Sequence, residues 1–205
     1  MALKLLGGVS VFADPQTERM ARAVLARGED LRAVAYRLAE QAGAALQTRV
    51  HGDFHLGQVL VAQGDAYIID FEGEPARTMD QRREKSSPLR DVAGLLRSFD
   101  YATATAREGR GAASPQTAGR RLALLEQFRA EAGETFMQAY RDVAYAAVRP
   151  WVSESGEAAL LDLFLLEKAA YEVRYEVANR PAWLGIPVGG LFAIAERLLP
   201  AADVA

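Results

Sequence analysis

The sequence predicts an α+β fold that is mostly helical, with one small β-hairpin set between helical stretches. Two observations predict it. Apolar residues recur at helical spacing on both sides of residues 49–87. Inside that window, the short β-prone runs VLVA (59–62) and AYIIDF (66–71) flank QGD, which reads as a tight hairpin turn. At 205 residues the chain is read as a single domain, 1–205.

Taken in order, Asp14-Pro15 opens the first helix, with the aspartate capping free N–H groups and proline at the first helical position. Gly28 ends it, and Asp30 is expected to cap a second helix whose stripe is Leu31, Val34, Leu38, Ala42 and Leu46. The hairpin follows, then a polar stretch over 72–87. Ser87-Pro88 is another cap-plus-proline start, for a helix through LRDVAGLLRSFDYATA (89–104). Residues 103–119, with REGRGAASPQTAG at 107–119, read as a flexible connection. Helical period then returns over about 120–148, 156–180 and 187–199, punctuated by Pro150, Gly156, Pro181 and Pro187.

A net charge of −3 argues against nucleic acid as the partner, and DQRREK (80–85) mixes both signs. Without cysteine, disulfides and cysteine-held zinc are excluded. No apolar run reaches the roughly 20 residues that span a bilayer. The opening MALKLLGGVSVFADP imitates a signal peptide only faintly, and the reading is a cytoplasmic protein without a membrane partner. Of the 24 basic residues only Lys4, Lys85 and Lys168 are lysine.

HGDFHLGQ (51–58) holds both histidines, and YIIDFEG (67–73) follows closely. Gly52 favours a sharp turn, which puts Asp53 on a loop just ahead of a strand. The returning strand ends near Asp70, so the hairpin gathers Asp53, Gln58 and Asp70 in one neighbourhood. Two carboxylates and an amide oxygen are hard oxygen donors, suited to magnesium with phosphate oxygens completing its shell. That set suits phosphoryl transfer: Asp53 accepts from the attacking hydroxyl, while Gln58 and Asp70 hold the metal against the β- and γ-phosphates. Two other readings stand beside it. The cluster is a hydrogen-bonded loop anchor, or His51, Asp53 and His55 ligate zinc or iron.

HGDFHLGQ followed by IIDFEG (68–73) resembles the C-terminal lobe of aminoglycoside-phosphotransferase-like kinases, which have a protein-kinase-like fold. Within them, REKSSPLRDVAGLLRSFDYA (83–102) and YEVRYEVANRPAWLGIP (171–187) look like maltokinase. The resemblance runs from about residue 14 onward and is weakest at 103–150. It implies ATP-dependent, Mg2+-assisted phosphorylation of maltose to maltose 1-phosphate. It further implies that Asp53 is the catalytic aspartate and that Gln58 and Asp70 are the metal and nucleotide ligands. His51 and His55 then buttress the loop, with His51 also touching the sugar, and Asp91 braces the loop through its backbone.

Tyr171 and Tyr175, four apart, share a helix face continued by Leu161, Phe164 and Lys168. Aromatic faces with hydrogen-bonding neighbours suit a disaccharide, so Tyr171, Tyr175, Arg180 and Trp183 are the expected sugar contacts. The plainer reading is that these tyrosines are core, with Lys168–Glu172 and Glu176–Arg180 as ordinary surface pairs.

The resemblance covers the C-terminal lobe only. A kinase of this class carries an N-terminal lobe with a nucleotide loop and a strand lysine. Here Lys4 is the only lysine before the catalytic loop, and residues 1–13 read as an inter-lobe remnant. The face meeting such a lobe is expected to expose apolar surface. The chain is then a truncated piece of a longer kinase, a catalytic lobe awaiting a second chain, a reduced kinase working weakly alone, or a sugar-binding or scaffold fragment associated with trehalose synthase. A kinase for another small molecule such as an aminoglycoside is the further alternative.

Overall fold

The computed structural model describes residues 1–74, 77–108, 114–146 and 154–200. Its elements in chain order are α1 (Ala2–Gly7), α2 (Pro15–Ala26), α3 (Gly28–Ala42), β1 (Val59–Ala62), β2 (Asp65–Ile68), α4 (Met79–Arg83), α5 (Leu89–Glu108), α6 (Pro115–Ala146), α7 (Glu154–Asn179) and α8 (Gly185–Leu198). The mostly helical α+β class expected from the sequence is what the structure shows. Backbone contacts divide the chain into two compact units, residues 1–45 with 154–205, and residues 46–153.

The first unit is helical. Asp14 caps α2, its Oδ1 accepting the Gln16 and Thr17 N–H groups at 2.8 and 2.9 Å and its Oδ2 the Thr17 hydroxyl at 2.6 Å. Those bonds, led by the Thr17 hydroxyl, hold the Asp14 carboxyl below its ordinary range. Asp30, expected as a cap, lies instead in the first turn of α3. The reason is local: Arg27 closes α2 by donating to the Val24 carbonyl and opens α3 by accepting from Leu31 N–H. No loop is left in which Asp30 could cap.

Leu31, Val34, Leu38 and Ala42 are buried along α3. Leu46, expected on the same stripe, is exposed, because Gly43 at φ +59 leaves the helix. The central element is α7, packed against α1, α3 and α8, while α8 also covers α2. Leu6, Val24, Leu31, Ala169, Val173, Val188 and Leu191 form the core. Each fully buried Val or Leu there contributes roughly 1.5–3 kcal/mol relative to exposure. Pro181 ends α7 and begins a 3-10 turn through Trp183.

In the second unit β1 and β2 pair antiparallel with Val59 opposite Ile68 and Ala62 opposite Asp65. The turn is Gln63-Gly64, both at positive φ (55° and 81°), the geometry whose twist matches two-residue hairpins. Thr48 and Ser86 exchange backbone hydrogen bonds of 2.9 and 3.0 Å, tying the entry of this unit to the start of α5. The Ser87 hydroxyl accepts from Leu89 N–H at 3.3 Å, so the cap-plus-proline start stands. Within the polar stretch lies α4, which the sequence reading leaves unassigned; Thr78 and Gln81 form its capping box.

Helix α5 lies against α6, where Phe99 and Phe128 meet edge-on with centroids 6.3 Å apart. The expected connection over 103–119 is largely helical: α5 continues to Glu108 and α6 starts at Pro115, while 109–113 lie outside the described residues. No helix among the described residues is long and apolar enough to cross a membrane.

Candidate functional site

The HGDFHLGQ segment is an extended loop closing into a 3-10 turn over Leu56–Gln58, and it is shaped largely by one face of α5. Asp91, Gly94 and Ser98 follow one another at i, i+3 and i+7, and each meets the loop. Asp91 Oδ2 accepts the His51 N–H at 2.7 Å and Oδ1 the Gly52 N–H at 2.9 Å. Gly94 lies so near that a Cβ there would stand 2.5 Å from the Phe54 carbonyl oxygen. The Ser98 hydroxyl accepts from Leu56 N–H at 3.1 Å and donates to the Leu95 carbonyl at 2.6 Å. Burial pushes the Asp91 carboxyl above its ordinary value, opposed by the two N–H bonds and by the charges of His51 and Arg90.

His51 is buried, its ring lying between Phe54 and Phe71 with centroids 5.5 and 4.8 Å away. Its Nε2 donates to the Ile69 carbonyl at 2.8 Å, which places the proton on that nitrogen, and Nδ1 faces Asp53 N–H at a long 3.4 Å. Both ring nitrogens thus face backbone groups. His55 Nδ1 accepts from Gly57 N–H at 3.0 Å, capping the 3-10 turn. Each imidazole thus spends a ring nitrogen on the loop's own backbone or its neighbour's. Among the described residues no three His, Asp or Glu side chains gather as a metal cage.

The hairpin register does bring Gln58 and Asp70 together. Ile69 N–H donates to the Gln58 carbonyl at 3.0 Å, one step beyond the Val59–Ile68 pair. Gln58 Nε2 then donates to Asp70 Oδ2 at 3.1 Å. Asp70 sits two residues past β2 at φ +63, a left-handed conformation that aspartate tolerates better than most residues. The amide oxygen of Gln58 and the carboxylate of Asp70 are a hard-oxygen pair that fits magnesium once phosphate oxygens join it. Asp53 lies in the bend that begins at Gly52. Gly52 and Gly73 pack so closely that a Cβ on Gly52 would meet Gly73 Cα at 3.3 Å.

The hairpin itself is bare. Leu60, Val61, Tyr67, Ile68 and Phe71 are exposed, at 51, 79, 52, 47 and 55%. A lone two-stranded sheet is marginal in water, so this apolar surface is an uncovered one.

The other sequence-predicted residues belong to the helical unit. Tyr171 and Tyr175 stack with centroids 6.5 Å apart, and Lys168 Nζ lies 5.2 Å above Tyr171. The Arg180 guanidinium lies over both Tyr175 (5.3 Å) and Trp183 (5.1 Å). It is held there by Glu176, with contacts of 3.0 and 2.6 Å. Glu176 is only 1% exposed, so the pair is not the ordinary surface pair weighed above. Sequence reasoning missed Glu176 as the anchor of this cluster, and Gly94 and Ser98 as loop-shaping residues. The signal for the latter two was their spacing from Asp91 along an otherwise apolar helix face.

No family model matches the chain. It is 29% identical over 172 residues to the glucosamine kinase of Mycolicibacterium smegmatis, covering 84% of this chain and 40% of that protein. It is 41% identical over 83 residues to the glucosamine kinase of Streptacidiphilus jiangxiensis, covering 37% and 19%. A solved glucosamine kinase in complex with glucosamine, ADP and inorganic phosphate superposes with a TM-score of 0.70 at 23% identity, over 97% of this chain and 43% of that one. A second crystal form of glucosamine kinase gives 0.67 at 22%, over 94% and 43%. The chain therefore spans about two fifths of the length of the solved relatives and at most that of the curated ones. Over nearly its whole length it shares the fold of the corresponding part of those glucosamine kinases.

Proposed function

We propose that this chain is the phosphoryl-transfer part of an ATP-dependent sugar kinase, the C-terminal lobe of a protein-kinase-like fold. The observation that carries the reading is the Gln58–Asp70 pair, set by hairpin register beside a loop that α5 braces around Asp53. In that reading Asp53 accepts a hydrogen bond from the acceptor hydroxyl. The hydroxyl oxygen forms its bond to the γ-phosphorus as the bond to the β-phosphate oxygen breaks, and the proton leaves through Asp53. Gln58 and Asp70 hold magnesium, which when bound supplies charge neutralisation at the phosphates.

Glucosamine is the first acceptor to try, because the similar proteins of known activity are glucosamine kinases. Tyr171, Tyr175, Arg180 and Trp183 are its proposed contacts. Maltose is the second, on the resemblance of 83–102 and 171–187 to maltokinase. The rest of the nucleotide site is assigned to an N-terminal lobe lying outside this sequence, and trehalose synthase stays a candidate partner.

The test is magnesium-dependent ADP release with glucosamine, maltose, glucose and an aminoglycoside, comparing the chain with Asp53→Ala, alone and in the presence of a relative's nucleotide lobe. Expected is sugar-dependent release that falls about a hundredfold or more in Asp53→Ala. Release indifferent to Asp53, or faster with the aminoglycoside than with any sugar, would overturn the reading. Sugar binding without ADP under every condition would leave a binding or scaffold module.

A further inference from the structure

The 3-10 turn over Leu56–Gln58 carries Gln58 into the hairpin, and its first two amides find no acceptor within the turn. Only the Gln58 N–H is served by local backbone, donating to the His55 carbonyl at 2.9 Å. The other two are met by side chains. His55 Nδ1 accepts the Gly57 N–H at 3.0 Å, and the Ser98 hydroxyl accepts the Leu56 N–H at 3.1 Å. Of these three acceptors only Ser98 comes from outside the loop, 42 positions along the chain.

The Ser98 hydroxyl has a fixed sense. Its proton goes back along α5 to the Leu95 carbonyl at 2.6 Å, which leaves the oxygen lone pairs for Leu56. Beyond the turn, the Gln58 carbonyl accepts the Ile69 N–H at 3.0 Å. Its side-chain Nε2 donates to Asp70 Oδ2 at 3.1 Å. Gln58 is thus tied at its amide to the turn and at its carbonyl to the returning chain. A turn that shifts at Leu56 carries the Gln58 amide oxygen with it.

We infer that Ser98 is a positioning residue for the metal-binding pair, holding Gln58 in line with Asp70 through the Leu56 amide. The inference rests on the reading of Gln58 and Asp70 as magnesium ligands. Magnesium demands near-ideal octahedral placement of its donors, so a ligand at the end of a braced turn serves it better than one on a loose loop. Groups that orient metal ligands from behind govern metal affinity, and their loss weakens it by roughly 10–100-fold. The Leu56–Ser98 bond is solvent-exposed, so water can replace the hydrogen bond without restoring the position of the turn. The effect of Ser98 therefore falls on metal affinity more than on stability.

The test reads metal binding rather than turnover. Titrate the isotope-labelled full chain with Mn2+ and follow by NMR the paramagnetic broadening of the Gln58 and Asp70 backbone amides. Use wild type, Ser98→Ala, Ser98→Thr and Thr103→Ala. Alanine suits a helix interior, so α5 survives Ser98→Ala. The Thr103 hydroxyl also donates back along α5, to the Asp100 carbonyl at 2.9 Å, and its removal controls for that loss. Expected is saturable broadening at Gln58 and Asp70, with Mn2+ affinity about tenfold weaker in Ser98→Ala. Ser98→Thr, which keeps the hydroxyl, and Thr103→Ala should match wild type. Equal affinity in wild type and Ser98→Ala, or an equal loss in either other variant, would overturn the role of Ser98 and leave the metal pair standing. No broadening at Gln58 and Asp70 in wild type would overturn the metal pair itself, and the positioning role with it.

Discussion

The carboxylate of Asp91 reaches forty positions back along the chain to accept the backbone N–H of His51 at 2.7 Å. With its second oxygen on Gly52, one side chain satisfies two consecutive amides of a loop that forms no regular structure there. Asp91→Ala should therefore destabilise the chain by about 2 kcal/mol or more, since two partly buried donors lose their acceptor. Urea unfolding midpoints would show it. A loss within a few tenths of a kcal/mol would mean that water replaces the carboxylate freely.

The same carboxyl has a pH signature. Burial raises it above the usual 3.8, so the folded chain keeps this proton to higher pH than the unfolded chain does. Its contribution is then fully present below 3.8 and falls as pH rises through the raised value. Stability of wild type relative to Asp91→Asn should decline across that interval and level off above it. A relative stability that climbs with pH would contradict the burial effect.

Asp14 works in the opposite sense. Its carboxyl is held low by Thr17, so its contribution is present above 3.8 and lost as pH falls through the lowered value. Asp14→Ala should cost about 1 kcal/mol at neutral pH through the lost cap. The gap to wild type should close in strong acid. Thermal melts of both proteins over an acid pH series would test this, and a gap that persists unchanged would sink it.

Gly94 tests the close approach of α5 to the loop. A methyl there meets the Phe54 carbonyl oxygen at 2.5 Å, and backbone cannot give way as a flexible side chain can. Gly94→Ala should cost about 1–3 kcal/mol. Gly119, in α6, has nothing within 4 Å of its would-be Cβ, so Gly119→Ala should instead stabilise by up to about 1 kcal/mol. Equal effects at the two positions would mean that helix propensity alone governs both.

The bare hairpin should open most easily. Every residue of β2 is exposed, as are three of the four in β1, whereas Ala169 and Val173 of α7 are wholly buried. Amide hydrogen exchange should protect β1 and β2 least and α7 most. Comparable protection in the two would imply a cover over the hairpin.

Much of this was legible in the sequence, because the signals are local. Asp14-Pro15 and Ser87-Pro88 announce helices through capping chemistry that needs only neighbouring residues. Gln63-Gly64 between two β-prone runs announces the hairpin, and its register makes Gln58 and Asp70 neighbours. The Thr78–Gln81 capping box was equally local but lay in a stretch without apolar period. Asp30 misled because a good capping residue cannot show that the preceding helix and the next are separated by a single residue, Arg27.

The sequence by itself determined the fold class, the hairpin and the pairing of Gln58 with Asp70, since periodicity and turn geometry act over a few residues. The resemblance implied the brace from Asp91, but only the tertiary structure added Gly94 and Ser98 to what holds the 51–58 loop. Asp91, Gly94 and Ser98 meet it across some forty residues, and whether an aspartate binds backbone or solvent depends on which surfaces pack together. Tertiary packing likewise buried Glu176 beneath Arg180 and drew Arg77, Arg82, Lys85 and Arg90 around one recess. Charges strung along a sequence read as a solvated face until the chain folds them around a common recess.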